Sequence, residues 1–167
     1  MRNTEWWQRG PVIGVPGVLQ PVAHILLQVI ESVDDLVAPL TVSQWNARPA
    51  NVASIAFHVR HITGVVDRLF TYGRSTALSE EQLTVMRAEG AEITAVEIPL
   101  VIAALHARLE DAVEELRSIN PERLDEWRGV GRAQLPSTLI GCLVHAAEHA
   151  MRHVGQLSVT ARLVTTI

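Results

Sequence analysis

Three histidines, His145, His149 and His153, recur at four-residue intervals near the end of the chain, within LVHAAEHAMRHVGQL. On an α-helix this spacing stacks side chains one turn apart along one face. Two imidazoles so placed can grip one metal ion, because a neutral ring nitrogen is a good ligand for zinc, nickel, copper or iron(II) and the helix itself fixes their separation. A lone helical histidine is more often a surface or core residue. Three in register, in a chain that holds only seven, point to coordination. Two other metal chemistries fit less well. Ferritin-like di-iron sites need Glu-x-x-His pairs, and the chain has none. His145-Ala-Ala-Glu148-His149 matches the inverted zinc-peptidase pattern, but no Asp or Glu follows Glu148 to complete that site.

The elements that must carry these residues read as helices. Val22, Leu26, Val29, Val33, Leu36 and Leu40 follow a helix start near Pro21, with Pro39 ending it. Asn51 is the expected N-cap of a second helix, about 52–72, with a seam of Val52, Ile55, Val59, Ile62, Val66 and Leu69. Ser79-Glu-Glu-Gln82 has the form of a capping box for a shorter helix running toward Gly90. A third long helix is signalled by Ile102, Leu105, Leu109, Ala112, Leu116 and Ile119. A start near Ile98 keeps Pro99 in the first turn, and the end falls near Asn120-Pro121. The last helix, about 137–164, has the seam Ile140, Leu143, Ala147, Ala150, Val154, Leu157, Ala161 and Val164. Four long helices of one period, with no stretch alternating at period two, predict an all-α four-helix bundle in one domain over 1–167, with an irregular arm at 1–20 that Trp6 and Trp7 pin to the body.

Angular position ranks the histidines. Turning each seam through about 100° per residue places His153 nearest the apolar centre line, His149 on its flank and His145 furthest away. On the second helix His58 lies closer to the seam than His61, so periodicity alone selects His58 as a third ligand. His24 and His106 sit beside seam positions on other helices and read as ordinary bundle histidines. Glu148, Gln156 and Asp67 are candidates for hydrogen-bonding a ligand from outside, although Asp67 and Arg68 read more simply as an exposed pair.

Composition narrows the function. The 167 residues are 48% hydrophobic with a net charge of -4, and the basic residues are scattered, which argues against nucleic acid as a partner. No apolar run is long enough for a membrane span, and the N-terminus lacks a signal-like apolar core, so a cytoplasmic protein is expected. Cys142, the only cysteine, cannot form an internal disulfide and reads as a small buried apolar residue. High apolar content with low charge favours a homodimer.

Two motifs carry a resemblance over most of the chain. Ser54-Ile55 followed by His61-Ile62, and His149-Ala-Met-Arg-His153-Val-Gly155-Gln156-Leu157, resemble the second-helix and closing signatures of the DinB-like superfamily of metal-binding four-helix bundles. Val154 departs from the Arg that often precedes the glycine. The resemblance implies a metal triad of His61, His149 and His153, with zinc or nickel as the ion and water in the remaining positions, and it keeps His58 as an alternative to His61. Three neutral ligands leave an open, uncompensated dication of the catalytic kind. Characterised members include thiol S-transferases and isomerases that use bacillithiol, mycothiol or glutathione, which implies a low-molecular-weight thiol and an electrophilic small molecule as partners. No catalytic residue is assigned. The thiol pocket is expected among the metal, the loop holding Trp45 and Arg48, and the N-terminal arm. The competing reading is a non-enzymatic metal-binding or dimerisation module.

Overall fold

In the computed structural model, which describes residues 4–166, Ser54 rather than Asn51 opens the second long helix: its Oγ accepts the Phe57 N–H at 3.2 Å. Ala50 and Asn51 adopt left-handed φ values of 50° and 63° in a tight turn, so Asn51 cannot serve as the cap, and Val52 lies outside the seam at 42% exposed. Met1–Asn3 of the expected arm, and Ile167, lie outside the described residues. The α-helices are α1 Gln20–Val37, α2 Val42–Asn46, α3 Ile55–Gly73, α4 Glu80–Ala88, α5 Ile98–Arg117 and α6 Leu139–Thr165. Local chemistry explains the boundaries of several. α4 starts at the expected capping box, in which Ser79 Oγ accepts the Gln82 N–H and Gln82 returns a bond to the Ser79 N–H. α5 starts at Ile98 with Pro99 in its first turn, where no N–H is needed.

The four long helices form the bundle. α1 packs against α5 and α6, and α3 packs against the same two, so α1 and α3 face each other across the diagonal. Polar and apolar contacts fix the directions. Gln44, just after α1, bonds the Val164 carbonyl at 3.0 Å, so α1 and α6 end at the same pole. Arg74, just after α3, pairs with Glu115 near the end of α5 at 2.6 Å, and a side chain at Gly73 would touch Leu139 at the start of α6. Therefore α3 and α5 run parallel, and α6 runs antiparallel to both. Parallel neighbours cannot be joined by a short turn. The chain from Arg74 to Glu97 is accordingly a crossover that climbs the length of the bundle and carries α4 on the way.

Along α6 the expected seam is buried from Leu143 to Val164, with Ala147, Ala150 and Ala161 letting neighbouring helices come close. On α1 the seam rotates at its end: Val37 is buried at 6%, whereas Leu36 and Leu40 are only packed against the core. Of the two tryptophans only Trp6 helps pin the arm, donating its indole N–H to Glu31 at 2.9 Å, while Trp7 is 65% exposed. No helix among the described residues is long and apolar enough to cross a membrane.

The structure adds one element that period two did not announce, an antiparallel hairpin of β1 Trp127–Val130 and β2 Leu135–Thr138. Its alternation is reversed: Trp127 is 60% exposed and Arg128 is buried. Arg128 turns inward because its Nε donates to the Gly73 carbonyl at 2.6 Å, capping the end of α3, and a second nitrogen reaches Glu126 at 3.0 Å. An arginine used as an interior cap is invisible to a hydrophobicity pattern.

Candidate metal centre

Because α3 and α6 are antiparallel, their turns meet in reverse order. His61 lies against His149, Nε2 to Nε2 at 3.0 Å, and His58 lies against His153, Nδ1 to Nδ1 at 3.0 Å. One ligand atom from each of His61, His149 and His153 falls within 4.8 Å of the other two. Bonds near 2.0–2.1 Å place the nitrogens around one ion roughly 3–4 Å apart, so small ring rotations suffice for this set to hold a divalent ion. His58 is buried and touches this cluster through His153. His145 stays outside on the exposed face, bonded to Glu148 at 3.2 Å. The remaining histidines are occupied elsewhere, His24 with the Gly10 carbonyl at 3.0 Å and His106 with Asp34 at 2.9 Å.

The tautomers follow from the partners. A carboxylate only accepts, so His61 Nδ1, 2.7 Å from Glu89 Oε2, carries the proton and leaves the Nε2 lone pair facing the cluster. His149 Nδ1 is buried without a hydrogen bond. Its two ring nitrogens thus have one protein partner between them, the Nε2 of His61. Phe57 stacks on His61 with centroids 5.1 Å apart and planes 12° apart, covering one face of the ring. Burial pulls the His58 and His153 pKa values down to about 4, and burial lowers that of His149 as well. At neutral pH these rings are uncharged, as ligands must be.

Glu89 is the residue that sequence reasoning did not single out. It is 4% exposed, and its second oxygen accepts from Arg68 at 2.6 Å. Burial pushes its carboxyl up, but bonds from His61 and Arg68 outweigh that and leave it below the usual range. The crossover delivers it. The turn after α4 is held by Asn46, which bonds both the Ile93 N–H and its carbonyl at 2.8 and 2.7 Å. Arg48 on the Gly90 carbonyl at 2.7 Å and Arg60 on the Ala91 carbonyl at 2.6 Å complete the clamp. Arg68 is therefore no exposed partner of Asp67; it is buried with Glu89, and Asp67 instead accepts from Gln82 at 2.6 Å. Of the other expected supporting residues, Glu148 pairs with Arg152 on the surface and Gln156 is exposed. The N-terminal arm bonds to α1 and Arg117, so it lines the far side of α1 rather than the cluster.

Gly64 makes room for this ion pair. A Cβ there would clash with Glu89 Oε1 and sit 2.6 Å from the Arg68 guanidinium. Gly64→Ala gains helix propensity but displaces a buried pair that has little space to move. A net loss of about 1–2 kcal/mol is expected, read as a melting midpoint roughly 2–8 °C lower in a thermal melt.

No curated protein matches the chain. A crystal structure described as a conserved protein from Enterococcus faecalis shares the fold, with a TM-score of 0.74 at 22% identity, covering 90% of this chain and 98% of its own. The sequence profile of the DinB superfamily matches residues 25–157, a span that runs from within α1 to within α6 and contains every histidine of the cluster. By that match the chain belongs to the DinB superfamily.

Proposed function

We propose that the protein binds one divalent ion, zinc or nickel, through His61, His149 and His153, and uses it to activate a low-molecular-weight thiol for transfer to an electrophilic small molecule or for thiol-dependent isomerisation of a maleyl-type acid. The observation that carries this reading is the donor set: three imidazole nitrogens converge with no carboxylate among them. An ion held by these neutral ligands would keep its charge uncompensated and a position open, and would supply there the electrostatic stabilisation that favours a thiol as thiolate at neutral pH. The chain's part is to keep the rings available and aimed. Burial keeps His149 and His153 neutral, and Glu89 fixes the His61 proton on the remote nitrogen. Cys142 takes no part as a nucleophile: it is buried, and burial raises its thiol pKa.

The test is a panel in which chelator-stripped protein is reloaded with zinc or nickel and offered bacillithiol, mycothiol or glutathione. Each thiol is paired with an alkylating electrophile or with a maleyl-type acid. At least one thiol should turn over about tenfold or more faster with reloaded than with stripped protein. Stoichiometric metal with no turnover for any pairing would leave a non-enzymatic metal-binding bundle instead.

A further inference from the structure

We infer that Glu89 is a positioning residue for the metal centre: braced by Arg68, its carboxylate holds His61 in the tautomer and rotamer that present Nε2, so the crossover helix confers ligand competence on α3. The inference rests on metal binding by the triad as proposed above. A neutral imidazole free in water exchanges its proton between both nitrogens, and a ligand facing the cluster through Nε2 must carry that proton on Nδ1. Glu89 imposes this state at 2.7 Å, and the stacked ring of Phe57 limits rotation about the same side chain.

The cost of the arrangement argues for a purpose beyond stability. A buried ion pair gains little over apolar packing of the same volume, yet several features of this chain converge on keeping one here. Gly64 forgoes a side chain in mid-helix where a Cβ would strike both partners. Asn46, Arg48 and Arg60, from two separate segments, clamp the turn that aims the carboxylate. Among the described residues, Glu89 is the one carboxylate that hydrogen-bonds a ring of the triad; the corresponding contact of His153 is to another imidazole, His58. A carboxylate behind a ligating histidine raises the ligand's basicity and fixes its ring, and removing such a partner typically lowers metal affinity 10–100-fold.

Glu89→Gln tests this, because an amide has one acceptor oxygen for two donors and must turn its NH₂ toward either Arg68 or His61. Chelator-stripped wild type and variant are titrated with zinc against a chromophoric chelator, and the His61 tautomer is read in the metal-free proteins by nitrogen-15 NMR. The variant should bind zinc about 10–100-fold more weakly and lose the single Nδ1–H tautomer. Affinity within about twofold of wild type with an unchanged tautomer overturns the inference. Should Glu89→Gln fail to fold, Glu89→Asp keeps the charge but shortens its reach, and it is expected to weaken zinc in the same direction; wild-type affinity there also overturns it. A wild type that binds no zinc defeats the metal reading, while the tautomer measurement still decides the role of Glu89.

Discussion

Replacing His149 with alanine is expected to lower bound zinc from about one equivalent per chain to background, with affinity falling by about 10³-fold or more. His149 faces both other rings of the cluster, its Nε2 lying 3.0 Å from His61 and its ring centroid 4.8 Å from that of His153. Two ligands cannot hold against water what three hold together, because each histidine contributes a bond without further ordering cost on a rigid helix. His153→Ala should behave alike. His145→Ala serves as the control, for that ring is exposed and bonded to Glu148. Elemental analysis of the purified variants, with circular dichroism to establish folding, makes the measurement. Stoichiometric zinc retained by both His149→Ala and His153→Ala would remove the site.

The second large effect is acid sensitivity of the chelator-treated protein. His58 and His153 have folded pKa values of about 4 against the ordinary histidine value of 6.5, and His149 is also lowered, all chiefly by burial. Between those values the unfolded chain binds protons that the folded chain does not, so stability rises with pH. The contribution is fully present above about pH 6.5 and is lost as pH falls toward about 4. Allowing for solvent screening of the partly exposed rings, the loss is on the order of 1–2 kcal/mol per pH unit in the lower half of that window. Thermal melts from neutral pH downward should show the midpoint falling steadily. Added zinc should hold it up until protons outcompete the ion for the same nitrogens. A midpoint flat across the window in chelator would contradict the neutral state of these rings.

Much of the fold was legible because its determinants are local. The alternating three-and-four spacing located every long helix, and Ser79-Glu-Glu-Gln82 capped α4 where it stood. Ile98 began α5 because Pro99 tolerates only the first turn. Where boundaries slipped, a nonlocal or unusual conformation won. Asn51 looked like a cap until its left-handed φ put Ser54 in that place, and Arg128 made a strand inward-facing through a bond to a carbonyl far away in sequence.

The sequence by itself determined the helices, the caps and the His149–His153 pair, because an i, i+4 relation on a helix is settled by backbone geometry before any packing occurs. Only the tertiary structure decided that His61 enters the cluster beside that pair while His58 stands behind His153. An angle about one helix axis says nothing about depth along it, and the antiparallel offset of α3 and α6 sets which turns meet. The same holds for Glu89 and Arg68. A parallel α3 and α5 demand a crossover, the crossover brings a carboxylate from 28 residues downstream onto His61, and no local pattern records that encounter.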